Sequence, residues 1–114
     1  MVRQLECEIR ENMRGGNGKV YMYPVIPKEE LMGHGRLYAK VVLPPGSSIG
    51  VHEHIHETEP YYILEGEGIF VDENGDRVPV KAGDSCTILP GQSHGMENPS
   101  TDKDLVMMAL VYND

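Results

Sequence analysis

A chain of 114 residues has room for one domain and one core, not two. Its 13 glycines and 8 prolines demand frequent turns, and its apolar residues, 39% of the total, sit in short runs. Both features exclude a disordered polymer and favour many short strands over long helices. A net charge of −8 excludes the basic patch that nucleic acid requires and argues against docking on anionic membranes.

Residues 1–18 are polar and end in Arg14-Gly15-Gly16-Asn17-Gly18, which reads as an N-terminal arm and a flexible loop before a domain over 19–114. Val20 to Ile26 is rich in Val, Ile and Tyr, and Pro24 marks it as an edge strand or a bulge. Pro27 to Gly33 opens on Pro and closes on Gly, which predicts the single short helical turn of the chain. From there strands and turns alternate. Leu37–Leu43 stops at Pro44-Pro45-Gly46, and Val51–His54, Tyr61–Leu64 and Gly68–Val71 follow. Asn74-Gly75 predicts a hairpin into Arg77–Val80. Cys86–Leu89 and His94–Glu97 lie on either side of Pro90-Gly91. Leu105–Tyr112 is apolar at almost every position and is expected to be buried on both faces. Evenly spaced strands with turn chemistry between them predict an all-β fold, a small antiparallel β-barrel or jelly roll.

Cys7 and Cys86 have no Cys-x-x-Cys spacing and are read as reduced thiols, Cys86 as a core residue. The N-terminus is charged from its first residues, and no run reaches the ~20 apolar residues needed to span a bilayer. The expected location is the cytoplasm.

The chemistry concentrates in Val51-His52-Glu53-His54-Ile55-His56-Glu57-Thr58-Glu59. On a strand, His52 and His54 point to one face, and a turn through Ile55–Thr58 brings Glu59 back to it. Imidazole nitrogens with a carboxylate oxygen suit a divalent transition metal. A solvated, charged loop is the competing reading at this point.

The spacing also resembles a known family. Gly46, His52, His54, Glu59 and Gly66 match the first signature of the cupin superfamily, and Gly83, Gly91, His94 and Asn98 match the second, with one departure at Leu89, where the pattern has proline. The resemblance implies a single-domain cupin whose metal, Mn, Fe, Ni or Zn, is held by His52, His54, Glu59 and His94, with positions left for a small ligand. His56 is a rival ligand that the signature disfavours, and His34 reads as exposed.

Other candidates lie around that centre. Parity with Glu59 turns Tyr61 inward and Tyr62 outward, and Met96 is expected to line the cavity. Arg36, Tyr38 and Lys40 share one strand face, which binds a carboxylate if it looks inward and is a solvated face if it looks outward, the reading preferred here. Arg14 has a mobile loop as its default and a fold over the barrel mouth as the alternative. Cupin relatives include dioxygenases, isomerases, oxalate oxidases and decarboxylases, and non-enzymatic binders, so fold does not choose the function. Bacterial oxalate decarboxylases have two domains and an arginine where this chain has Ile49, which speaks against a full decarboxylase mechanism. The expectation is a metal-dependent enzyme or binder for a small organic acid, oxalate-like; the alternative is a non-catalytic, metal-stabilised sensing module. The resemblance also implies a homodimer.

Overall fold

The computed structural model describes residues 1–114 and contains ten strands: β1 (Glu8–Glu11), β2 (Lys19–Pro24), β3 (Gly35–Leu43), β4 (Ser48–Glu53), β5 (Glu57–Glu65), β6 (Glu67–Val71), β7 (Arg77–Lys81), β8 (Ser85–Ile88), β9 (Ser93–Glu97) and β10 (Leu105–Asn113). They pair antiparallel into a six-stranded sheet, in the order β1-β2-β3-β10-β5-β8, and a four-stranded sheet, β4-β9-β6-β7. The inner faces enclose one core built from Val20, Leu43, Ile63, Ile88, Leu105 and Met107, all nearly or wholly inaccessible, with their apolar neighbours. This is the all-β antiparallel sandwich that the turn spacing predicts. No helix is long and apolar enough to cross a membrane.

Three expectations are adjusted. The segment read as an arm contains β1, an exposed edge strand whose residues Glu8 and Glu11 face Met22 and Lys19 of β2. There are two single 3-10 turns, Met13–Gly15 and Lys28–Leu31, where the sequence predicts one over 27–33. Finally, β10 is fully buried on one face only. Leu105, Met107, Ala109 and Val111 enter the core, whereas Val106, Met108 and Leu110 are half-buried on the outer face.

Two β-bulges decide which side chains reach the interior. On β4, Ile49 faces Met96 and His52 faces His94, so three steps on one strand match two on the other. The extra residue resets the alternation, and both Ile49 and His52 turn inward. On β3, Leu37 faces Val111 and Gly35 faces Tyr112, which leaves Arg36 as the unpaired residue of the bulge.

Between β5 and β6, Gly66 turns at φ +85°, and a Cβ there would overlap the Asp104 carbonyl oxygen. Only glycine meets both demands. Asn98 anchors the end of β9 by donating from its amide to the carbonyl oxygens of Leu43 and Lys103, both at 2.8 Å.

Candidate metal centre

Four side chains from the two sheets converge inside the sandwich. His52 comes from β4 and His94 from β9, directly opposite each other across the bulged pair. His54 lies one residue beyond β4. Its N–H donates to the Gln92 carbonyl and its own carbonyl accepts from Gly91, which pins it to the turn before β9. His56 then takes φ 60°, the chain reverses, and Glu59 enters from β5. The ligand atoms of His52, His54, Glu59 and His94 lie within 4.8 Å of one another, and all but the half-buried His52 are buried.

The contacts inside this cluster are close but do not form hydrogen bonds. His54 Nε2 is 3.0 Å from Glu59 Oε1, and His94 Nε2 is 2.8 Å from the same oxygen. Yet His54 Nε2 and Glu59 Oε1 are both buried without a hydrogen-bond partner of acceptable geometry. The atoms point at a shared centre rather than at each other. Leaving them so costs about 1–3 kcal/mol per orphaned group, which a bound cation would remove. The donor set of three imidazoles and a carboxylate is borderline and suits a divalent first-row transition metal.

The ring orientations are fixed from behind. His52 Nδ1 donates to the Gly50 carbonyl at 2.7 Å, which leaves Nε2 with a free lone pair toward the centre. His54 Nδ1 lies 2.9 Å from Glu57 Oε1, and Glu57 is gripped by Arg36 through Nε at 2.6 Å and Nη2 at 3.1 Å. This makes an Arg36–Glu57–His54 chain ending at the site. His94 has no such anchor, because its Nδ1 is buried without a partner. Its ring is held by stacking on Tyr61, with centroids 4.9 Å apart and planes 12° from parallel, and by the edge of Phe70.

Protonation favours cation binding at His52 and Glu59, whereas at His54 the nearby Glu59, against burial and together with Glu57, raises the imidazole above its usual value, so that a proton competes there with a cation. Burial pulls the His52 imidazole down to about 4, so this ring is neutral near pH 7. Burial also opposes the charge on Glu59, but His54 and His94 together outweigh it and hold the carboxyl at about 2. Burial, then Glu59, pushes the Tyr61 hydroxyl well above its usual range, so it stays protonated as a donor beside His94 Nε2, 3.4 Å away.

A cavity of about 40 Å³ opens from this cluster, lined by His52, His54, Glu59, Tyr61, Ile49, Arg36 and Arg14, with apolar walls from β2, β3 and β10. A single water needs roughly 10–15 Å³ on this measure, so only a ligand of few heavy atoms fits.

Residues 39–111 match the family described as "Cupin domain". The chain belongs to the cupin family. This cupin is 50% identical over 100 residues to a Thermotoga maritima protein named oxalate-binding protein, covering 88% of this chain and 81% of that one. The crystal structure of a Thermotoga maritima protein described as a predicted oxalate decarboxylase superposes with a TM-score of 0.94 at 45% identity, covering 100% of both chains. A Cupin 2 conserved barrel domain protein from Salinispora arenicola gives a TM-score of 0.75 at 25% identity, over 99% of this chain and 88% of that one.

Of the residues singled out in the sequence around the centre, Tyr61 is buried against the cavity. Met96 is wholly buried in the core and does not line the cavity. Tyr38 does not line the cavity: beyond the bulge it keeps the outward parity preferred from the sequence and stays 38% exposed. The Lys40 ammonium lies outside as well, 4.6 Å above the Tyr23 ring. Arg36 leaves that shared face because it is the bulged residue, and it reaches the cavity rim. His56 turns away to the Asp114 carboxylate at 3.1 Å, and His34 is exposed. Glu57 was missed. Its signal was available, since it stands two residues before Glu59 and shares that strand face.

Proposed function

We propose that this cupin binds a small organic acid, a dicarboxylate of oxalate size, at a divalent transition metal held by His52, His54, Glu59 and His94. The observation that carries the reading is the pair of buried, orphaned acceptors, His54 Nε2 and Glu59 Oε1, aimed into a cavity that only a few heavy atoms can fill. The metal, drawn from Mn, Fe, Ni or Zn, supplies Lewis acidity toward carboxylate oxygens. The chain's own residues do the rest. His52, His54 and His94 present imidazole nitrogens, Glu59 offsets charge, Tyr61 presents a hydroxyl donor, and the apolar walls keep bulk water out. The names of the Thermotoga relatives support an oxalate-like ligand.

Binding without turnover is the second reading. It is favoured by the lack of a titrating group in the cavity apart from the ligand set: Tyr61 stays protonated, and Arg36 is held by Glu57. The two free thiols support a reducing, cytoplasmic setting.

The proposal is tested by elemental analysis of protein purified without a tag or chelator, alongside His54→Ala. The expected result is near-stoichiometric metal in the parent and its loss in the variant, followed by calorimetric oxalate binding to the loaded parent alone. A parent that carries no metal and takes none up sinks the reading.

We also propose a homodimer formed through the outer face of the six-stranded sheet. Tyr21, Val42 and Val106 form one cross-strand row there, and Lys40, Met108 and Tyr62 form the next. Tyr38 with Leu110 forms a third. A half-exposed face of this kind, mostly apolar with Lys40 and Glu65 within its rows, suits association with a second copy.

A further inference from the structure

The geometry points to Arg14 as the residue that selects a doubly charged carboxylate at this centre, by receiving the carboxylate group farther from the metal. The inference rests on the metal-and-acid reading above and deepens it.

Three observations converge on Arg14. First, the chain has five arginines, and four of them are ion-paired: Arg3 with Glu30, Arg10 with Glu8, Arg36 with Glu57 and Arg77 with Glu97. Arg14 has no carboxylate partner and makes no side-chain hydrogen bond, in a protein with 18 acidic residues. It nevertheless lines the cavity that holds His52, His54 and Glu59. Second, the fold places it there deliberately. The 3-10 turn Met13–Gly15 lies against β4, and a Cβ on Gly50 would overlap the Arg14 carbonyl oxygen while one on Gly16 would overlap that of Ser48. Asn17 ties the same loop down by donating from its N–H to Ser48 Oγ at 2.8 Å and from its amide to the Gly46 carbonyl at 3.0 Å. Third, Arg14 itself sits at φ 55°, ψ 33°, a left-handed conformation unusual for a residue with a side chain, immediately beside two glycines that would take it freely. Asn12, Met32 and His56 share this conformation, but of the four only Arg14 lines the cavity.

Charge balance then defines the ligand. Glu57 already neutralises Arg36. A divalent cation with Glu59 and three neutral imidazoles leaves one unit of positive charge, and Arg14 adds a second. A dianion balances the cavity, whereas a monoanion leaves the guanidinium uncompensated. The planar fork of a guanidinium also matches a carboxylate in two-point contact.

The test is calorimetric titration of metal-loaded protein with oxalate and with glycolate, which keeps one carboxylate but has an uncharged hydroxymethyl group in place of the other. The variants are Arg14→Gln, Arg14→Lys and Arg14→Gly, the last because glycine keeps the turn without strain. Arg77→Gln serves as a distant control, and metal content and thermal unfolding are recorded for each. The parent is expected to prefer oxalate. Arg14→Gln and Arg14→Gly are expected to keep their metal but bind oxalate about 10- to 150-fold more weakly. They should change little toward glycolate, so that the preference collapses, while Arg14→Lys recovers part of it. Folded, metal-loaded variants whose oxalate-to-glycolate preference equals the parent's overturn the role of Arg14 and leave the metal site standing. A loaded parent that binds neither acid overturns the underlying reading, and this inference with it.

Discussion

Removing the Glu57 carboxylate should damage the metal site far more than it damages the fold. Glu57 receives two bonds from Arg36, at 2.6 and 3.1 Å, and faces His54 Nδ1 at 2.9 Å. The Arg36 side chain is 38% exposed, so water screens that ion pair and its loss should cost the fold no more than about 1 kcal/mol. The His54 contact is different, because the His54 side chain is only 2% exposed and no other acceptor faces its Nδ1. Without Glu57 the imidazole is free to rotate or to change tautomer, and Nε2 loses its aim at the centre. Losses of this kind typically cost about 10- to 100-fold in metal affinity, or roughly 1.4–2.7 kcal/mol. Glu57→Ala should fall toward the upper end of that range. Glu57→Gln keeps an oxygen for His54 Nδ1–H but gives up the charge facing Arg36, and it should stay near the lower end. Competition against a metallochromic chelator gives the affinity, and thermal unfolding of the metal-free proteins gives the stability. A Glu57→Ala protein that binds Zn within about twofold of the parent would refute the argument that this carboxylate aims the ring.

The remaining predictions concern folding, association and reactivity. Because the donors come from both sheets, metal should staple the sandwich: at a free concentration 100 times the Kd the gain is about 2.7 kcal/mol. That should raise Tm by about 10–20 °C for a domain of this size and be reversed by chelation, whereas an unchanged Tm would contradict it. Gly50→Ala forces a Cβ into the Arg14 carbonyl and, because the Gly50 carbonyl also holds His52 Nδ1, should cost about 1–3 kcal/mol and lower the metal content, read by denaturant unfolding and elemental analysis. Met108→Glu, which puts a charge at the centre of the outer face, should turn a dimer into a monomer in light scattering; a parent that is monomeric at tens of micromolar would remove the dimer proposal. Burial pushes the Cys86 thiol up to about 11 while Cys7 is exposed, so a thiol reagent at pH 8 should titrate one group in the native protein and a second only after denaturation.

Most strands were legible because each half-buried run carries its own alternation and ends at Gly or Pro. Leu37–Leu43, for example, falls inside the observed Gly35–Leu43. β1 was not legible: Glu8-Ile9-Arg10-Glu11 is exposed throughout, and an edge strand that buries nothing leaves no periodic trace. The long apolar run of β10 suggested burial on both faces because hydropathy does not distinguish a core from an uncovered outer face. Parity arguments worked where the ladders are regular, as for Tyr61 beside Glu59, and failed at the bulges. There one unpaired residue brought Arg36 inward and left Tyr38 and Lys40 behind. A bulge is a property of two strands together, so no inspection of one strand reveals it. His94 was reachable only through the family spacing, because its approach to His52 depends on a pairing between strands some forty residues apart in the chain.

The two tasks proposed for this site fall on backbone of different kinds. The candidate metal donors stand on or beside strands whose ladders run through both sheets, so their positions are fixed by the same bonds that hold the core. Moving His52 relative to His94 would require breaking the β4–β9 pairing itself. Arg14 stands on a short turn joined to that frame by glycine contacts and by Asn17, outside any ladder. On the proposed reading, a substitution there should alter what approaches the metal without disturbing what holds it. The converse also holds: changes within β4, β5 or β9 alter the frame and with it every ligand. A cupin built this way can change its acid by revising one loop, and for that reason the loop, rather than the signature residues, is where the choice of ligand should be sought.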